Sequence, residues 1–356
     1  MPGVGPRLAR MLLSHLGSAS AVFKTTKGRL KKINGIGDKI AEQLLQNHWL
    51  NEAGEVAERA DKTRTEIIFF SDSTYPERLK QIYDAPIILF KKGKGELNSS
   101  NSVAIVGTRS ATEYGREITQ QIVRSLIQYK PLIVSGLAYG IDIEAHRAAL
   151  DCGLPTFGVM ASGTDIIYPS SHKGTSEKML EEGGLVSEYI PGTKPEAAYF
   201  PARNRIIAGL AEAVIVVEAA SRGGALITAE IANSYDREVL AVPGNLGNSF
   251  SEGCNHLIQQ QKAHIYTDAE NLAALLNWDL ATGSGKKKVK HQKPDNLSAE
   301  GAKIWDTLEK QPDGMQLDTL SWQTQIPIHQ LASELLNMEF EGLVKSLPGK
   351  LYKLAK

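Results

Sequence analysis

Residues 103–110 read Val-Ala-Ile-Val-Gly-Thr-Arg-Ser, and a stretch of helical length begins at 113. An unbroken apolar run of Val and Ile suits a strand buried on both faces. The Gly-Thr-Arg-Ser behind it is a turn that carries a cation. The same layout returns at 133–142, Ile-Val-Ser-Gly-Leu-Ala-Tyr-Gly-Ile-Asp, and at 217–230, Val-Glu-Ala-Ala-Ser-Arg-Gly-Gly-Ala-Leu-Ile-Thr-Ala-Glu. In each, an apolar run ends in Gly, Ser or Arg and a helix starts.

Outward from this centre, further strands are predicted at 67–70, 87–90, 156–160, 185–187 and 239–242, with the flagship runs themselves at 103–106, 132–135 and 213–217. Segments 113–129, 141–151, 203–212 and 225–235 have helical length. Unbroken Val/Ile runs joined by helices predict an α/β domain over 63–280: a Rossmann-like, mostly parallel sheet with helices on both faces.

Both flanks read differently. Residues 1–62 are helical, apolar at Leu8, Met11, Leu12 and at Ile40, Leu44, Leu45. Two turns punctuate them, Gly3-Val4-Gly5 and Gly35-Ile36-Gly37, each opening a helix. This is a helix-hairpin-helix (SAM-like) pattern, in which glycines let backbone N–H groups approach a phosphate. A purely structural helical hairpin is the other reading. Residues 281–296 form a Lys-rich linker whose composition cannot support a core. Its Gly283-Ser284-Gly285-Lys286 is no P-loop, because Leu280 stands five before Gly285 and no Ser or Thr follows Lys286. Residues 297–356 read as three helices, with Ser298 as a cap and Pro327 in the first turn of the third, then a hairpin of 343–346 and 350–354. That order is a winged helix; a small helical bundle is the alternative.

At roughly 100–200 residues per domain, 356 residues allow two or three domains. Hydrophobic residues make up 42%, enough for a core. Two cysteines, Cys152 and Cys254, exclude a disulfide framework and a Cys-based zinc finger and suit a reducing, cytoplasmic setting. The longest apolar run, near 213–217, falls far short of the ~20 residues of a membrane helix, and no secretory signal is expected.

Lys+Arg and Asp+Glu number 40 each, but the charge is uneven. Residues 1–50 hold eight basic and two acidic residues, so +6; residues 97–280 hold 13 and 20, so −7. Nucleic acid would therefore have to meet the central domain at a local pocket of arginines and backbone N–H groups.

In open α/β sheets the strand carboxyl ends gather into one crevice, and helix N-termini point there. The loops at Gly107-Thr108-Arg109, Ser135-Gly136 with Ala138 and Gly140, and Gly223-Gly224 with Thr228 are placed at that crevice. So is Phe200-Pro201-Ala202-Arg203-Asn204-Arg205. Arg109, Arg203 and Arg205 would supply fixed charge for phosphates. One Gly-rich strand–helix turn is ordinary tight packing; four clusters with arginines make an anion site the better reading. No Gly-x-Gly-x-x-Gly follows 103–106, no His/Cys spacing suits a metal, and no Gly-x-Ser-x-Gly elbow occurs, so no cofactor, metal or catalytic residue is expected. His146 is read as a surface or packing histidine.

The strings at 107–109, 135–142, 200–210 (Phe-Pro-Ala-Arg-Asn-Arg-Ile-Ile-Ala-Gly-Leu) and 223–229, with Val242-Pro243-Gly244-Asn245, resemble the DNA-processing protein A (DprA/Smf) family. They occur in order over about 65–270. The resemblance implies a non-catalytic, cytoplasmic, single-stranded DNA-binding protein of natural transformation. It implies a homodimer that shields incoming strands and loads the RecA recombinase. It also implies that Arg109, Ser135, Gly136, Arg203, Asn204 and Arg205 lie in or beside the DNA pocket and that Phe200 stacks a base. The family often carries a lysine just before the Phe-Pro string; here Ala197, Ala198 and Tyr199 precede Phe200, and the nearest lysine is Lys194.

The competing reading is an enzyme. Gly223-Gly224 with Thr228 and Glu230 partly matches the Gly-Gly-x-Gly-Thr-x-x-Glu string of nucleotide-monophosphate phosphoribohydrolases, though the third Gly and the spacing differ. A third reading gives the winged helix the main role, on duplex DNA or a protein. Its third helix, 327–341, carries Glu334, Glu339 and Glu341 and no Lys or Arg, which is poor for reading a groove.

Overall fold

The structure, a computed structural model, describes residues 3–46, 48–279, 294, 297–309, 311, 314–347 and 351–355. It divides into two compact units, 1–282 and 283–356.

The first unit is built on a nine-stranded sheet. Its strands are β1 (Glu66–Phe69), β2 (Ile88–Lys92), β3 (Ser102–Val106), β4 (Leu132–Ser135), β5 (Thr156–Val159), β6 (Gly184–Ser187), β7 (Ala213–Val216), β8 (Glu238–Ala241) and β9 (His264–Ile265). They lie in the order β1-β2-β6-β5-β4-β3-β7-β8-β9. β6 through β9 run parallel to their neighbours, while β1 and β2 add antiparallel at one edge. The predicted Rossmann-like sheet is therefore present.

Alternate residues of each strand face opposite layers, because successive side chains of an extended chain point to opposite faces. Ala104, Val106, Val134, Val214 and Val216 join one core, beneath helices Tyr199–Leu210 and Gly224–Ser234. Val103, Ile105, Ile133, Ala213 and Ile215 join the other, beneath helices Glu113–Ser125 and Ile141–Asp151. With both faces covered, no position in β3, β4 or β7 is solvent-exposed, which explains their unbroken apolar runs.

The chain moves from β3 outward through β4, β5 and β6, then returns to place β7 on the other flank of β3. Strand order reverses between β3 and β7, the place where open α/β sheets generally take their ligands.

The N-terminal helices have their own small core of Leu12, Val22, Leu30, Ile33, Ile36, Ala41 and Leu44. Gly3 and Gly35 adopt φ of +79° and +85°, and Gly5 and Gly37 cap the helices that follow. The two turns pack with exchanged roles: a Cβ on Gly3 would touch Ile40, and one on Gly35 would touch Leu8 and Met11. Arg10 donates to the carbonyls of Ile82 (3.2 Å) and Tyr83, and Arg59 to that of Pro191 (3.2 Å), tying this region to the sheet domain.

The second unit has helices Ala299–Glu309, Leu317–Thr324 and Ile328–Phe340, with strands β10 (Met315–Gln316), β11 (Val344–Leu347) and β12 (Leu351–Leu354). The strands form an antiparallel sheet in the order β10-β12-β11, packed on Trp305, Leu320, Leu331, Leu335 and Met338. This is the winged helix, with Ser298 Oγ accepting the Gly301 N–H at 2.8 Å as the expected cap. The Lys-rich linker reading, apart from Pro294, and the Pro348-Gly349 turn lie outside the described residues.

Several element ends shift from expectation, and β9 and β10 are among the elements added to it. The helix predicted at 203–212 spans Tyr199–Leu210, since Pro201 is tolerated in a first turn where its missing N–H has no partner to lose. β9 and β10 are two-residue strands, too short for a period-2 pattern to show.

Candidate functional site

The loops after β3, β4 and β7 meet at the strand ends. Gly107 lies where a Cβ would collide with Ile141, at the start of the helix after β4, and its neighbour Thr108 donates its N–H to the Glu218 carbonyl at 2.7 Å. Gly140, at φ +77°, lies against the carbonyl of Thr108 and the backbone of Arg109, leaving no room for a side chain. These close approaches hold Arg109 out at the rim. Its side chain is exposed, and its guanidinium carbon lies 5.3 Å from the centre of the Phe200 ring.

Arg203 behaves differently. It is 4% exposed and reaches beneath the crevice, donating from Nη1 to the carbonyls of Gly136 (2.7 Å) and Val159, and from Nε to Asn204 Oδ1 (3.3 Å). Its guanidinium carbon lies 6.0 Å from the Phe200 ring centre. A side chain on Gly136 would fill the space held by Arg203 Nη2 and Asp142 Oδ2, each 2.6 Å from the Cβ position. Burial lowers the Arg203 pKa to about 10, and the charge of Asp142 opposes that shift. Burial raises the Asp142 carboxyl in turn, against the pull of Arg203. Arg203 thus fastens helix Tyr199–Leu210 to β4 and β5 and props Phe200 from below.

Arg205, grouped with these two in the sequence reading, is not brought to them. Its guanidinium pairs with Glu188 and donates to the Asp84 carbonyl at 2.7 Å, because two residues on from Arg203 the helix presents another face. Ser135 Oγ is buried and donates to the Ile105 carbonyl at 2.6 Å, and Thr228 Oγ1 donates to the Gly224 carbonyl at 3.1 Å. Asn204 Nδ2 donates to the same carbonyl at 3.3 Å. Ala138 N–H points to Asp142 Oδ2 at 3.4 Å. These four brace the loops from inside.

The helix N-termini at the crevice are not equally open. Glu218, 4% exposed, accepts the N–H and hydroxyl of Thr112 (3.0 and 2.5 Å), closing the start of helix Glu113–Ser125. The Ile141 N–H goes to the Thr108 carbonyl at 3.2 Å. Helix Gly224–Ser234, by contrast, has no side-chain cap, and Gly223 and Gly224 are exposed with nothing around their Cβ positions. Arg222 precedes it, exposed and without a hydrogen bond or ion pair among the described residues. Arg222 is not among the site residues expected from the sequence. Its clue was an arginine directly before an exposed Gly-Gly helix start.

Fitted to known proteins, residues 66–277 match the model of the DNA recombination-mediator protein A family, 288–350 the DprA winged helix domain, and 1–46 a SAM-like helix-hairpin-helix tandem. The chain belongs to the DprA/Smf family. Protein Smf of Synechocystis sp. is 33% identical over 99% of this chain and 96% of its own length. DNA processing protein DprA of Streptococcus pneumoniae is 43% identical over 57% of this chain and 71% of its own. Its X-ray structure superposes with a TM-score of 0.69 at 33% identity, covering 78% of this chain and 95% of that one. A Helicobacter pylori DprA structure, which describes a single-stranded DNA binding mode of that protein, gives 0.55 at 27% identity over 61% and 99%.

Within this DprA/Smf member, His146 is a packing residue. It is fully buried, and Thr156 Oγ1, which donates to the Ile133 carbonyl at 3.0 Å, receives the proton of His146 Nδ1 at 2.7 Å. Nε2 is then left with its lone pair unpartnered, and burial holds the ring neutral, with its pKa lowered to about 3. Among the described residues no cluster of His, Cys, Asp or Glu could hold a metal, and no helix is long and apolar enough to cross a membrane.

Proposed function

We propose that the crevice at the carboxyl ends of β3, β4 and β7 binds single-stranded DNA without sequence preference. The observation that carries this is the exposed Arg109 guanidinium beside the half-buried Phe200 ring. An aromatic face accepts any unpaired base, and an adjacent cation holds its phosphate. Arg222 and the uncapped start of helix Gly224–Ser234 offer a second phosphate contact on the neighbouring loop. The site is local, as it must be in a domain with a surplus of carboxylates. The description of the H. pylori relative supports the choice of single strands.

Gly107, Thr108, Gly140, Gly223 and Gly224 then contribute backbone to the contact surface. Arg203, Asn204, Ser135, Gly136, Ala138 and Thr228 act by positioning it. On this reading the protein receives incoming strands in the cytoplasm during natural transformation, works as a homodimer and loads RecA; family membership supports these steps. The phosphoribohydrolase reading has less behind it. Glu230, its acidic residue, is exposed on helix Gly224–Ser234 and faces Lys262 at 3.7 Å. Anisotropy titrations of labelled single strands with the full chain and with Arg109→Ala test the proposal. Tight binding by the first and marked weakening in the second is the expected result, and equal affinity is the adverse one.

A further inference from the structure

We propose that Tyr168 and Tyr139 extend Phe200 into a row of base-stacking rings, so that the bound strand continues from the β3 loop across the segment that follows β5. The inference rests on the reading that the crevice takes unpaired DNA, and it adds the residues that would hold the next bases.

Tyr168 is 50% exposed and its ring lies 5.8 Å from Phe200, edge against face. Its hydroxyl has no hydrogen-bond partner among the described residues, so nothing in the fold requires a phenol there. Tyr139, 51% exposed, stands on the loop after β4. Its position is fixed from beneath. His172, 3% exposed, meets its ring edge-on at 4.9 Å, and Ser171 Oγ donates to its hydroxyl at 3.3 Å. His172 Nδ1 lies 2.9 Å from the Leu137 carbonyl, and since a carbonyl only accepts, Nδ1 carries the proton. The loop after β4 and the segment 168–172 are thereby locked together.

Tyr168 opens that segment and Tyr139 leans on its end. His172 is four peptide steps from Tyr168, so their Cα atoms are at most about 14 Å apart. Phe200, Tyr168 and Tyr139 therefore fall within the span of a few nucleotides, inside the range of a single-strand groove. Half-exposed rings at the rim of a ligand crevice are poor packing and good platforms. Stacking also needs no cations, which suits a domain carrying −7 over 97–280 (13 basic against 20 acidic). Duplex DNA presents no free base faces to such a row.

The test is fluorescence-anisotropy binding by the full chain, using an oligothymidylate and an abasic oligonucleotide of the same length. Tyr168→Ala and Tyr139→Ala should each weaken oligothymidylate binding by about five- to tenfold, toward the low end of what one stacked base contributes. On the abasic strand the same variants should lose less than about twofold, since no base is present to stack. Tyr168→Phe and Tyr139→Phe keep the ring and should bind within about twofold of wild type. Tyr83→Ala, an exposed ring packed on Tyr235 at the far end of helix Gly224–Ser234, should change nothing.

Wild-type affinity in both alanine variants, or equal losses on the two strands, would overturn the row, the second by showing a loop-shape effect. If Arg109→Ala weakens binding while the tyrosine variants do not, the row fails and the crevice stands. If the wild-type chain binds duplex in preference to single strands, the crevice reading fails and takes the row with it.

Discussion

The guanidinium carbon of Arg109, on the loop after β3, lies 5.3 Å from the centre of the ring of Phe200, in the first turn of helix Tyr199–Leu210, 91 residues further along the chain. Arg203 approaches the same ring at 6.0 Å from the buried side. One arginine is exposed on the outer side of the ring and the other is buried beneath it, which under the proposed function makes the first a ligand contact and the second a support.

That division predicts two kinds of loss. Arg109→Ala should leave thermal unfolding within about 0.5 kcal/mol of wild type, as surface changes do, yet weaken single-strand binding. Arg203→Ala should destabilise the fold by roughly 1–3 kcal/mol for each buried group it leaves unsatisfied, because the Gly136 and Val159 carbonyls lose their donor. Calorimetry and binding on both variants check this; similar unfolding profiles would remove the distinction.

Binding should weaken with salt. Each phosphate neutralised on a single strand contributes about −0.7 to the slope of log affinity against log salt. Arg109→Ala should make the slope shallower by about that amount, as should Arg222→Ala. Titrations from low to moderate salt measure it, and a slope unchanged in both variants would move the phosphate contacts elsewhere.

Gly140→Ala should damage the site through the backbone. At φ +77° a side chain is strained by about 1–3 kcal/mol, and its Cβ would collide with the Thr108 carbonyl. Lower stability and weaker binding are expected together. A variant that folds and binds normally would show that the two loops are less tightly joined than described.

Acid should destabilise the sheet domain partly through His146. Its pKa is lowered from 6.5 to about 3 by burial, so between those values the unfolded chain binds a proton that the folded chain refuses. Stability from this group is present above about pH 6.5 and is lost as pH falls toward 3. Asp142 and Glu188, whose pKa values burial raises above 3.8 and 4.5, act in the opposite sense, gaining stability as pH falls through their raised values. His146→Gln should flatten the upper part of the acid limb in denaturant titrations at pH 7, 6 and 5.

Much of this architecture can be read from the chain itself. Val103, Ile105, Ala104 and Val106 are buried on two opposite faces of one sheet, so the run had to be apolar throughout, and the strand followed. Gly35 and Gly37 announced a turn and a cap that both exist. The roles of the arginines were harder. Whether Arg203 meets solvent depends on Gly136, 67 residues earlier, leaving space for its guanidinium, and on the Val159 carbonyl at the end of another strand. Arg205 is turned away by Glu188 and Asp84, partners distant in sequence. The half-exposure of Tyr139 and Tyr168 is set by tertiary packing around their loops, which a tyrosine beside an apolar run does not encode. Glu218 closing the helix at Thr112 is a contact across 106 residues, with no local signature.

The most direct measurement is competition. With the full chain bound to a labelled single-stranded oligonucleotide, unlabelled single strands should displace the label at far lower concentration than duplex of the same sequence, and Arg109→Ala with Phe200→Ala should abolish that preference. Equal competition by duplex, or a preference that survives loss of both side chains, would contradict the account.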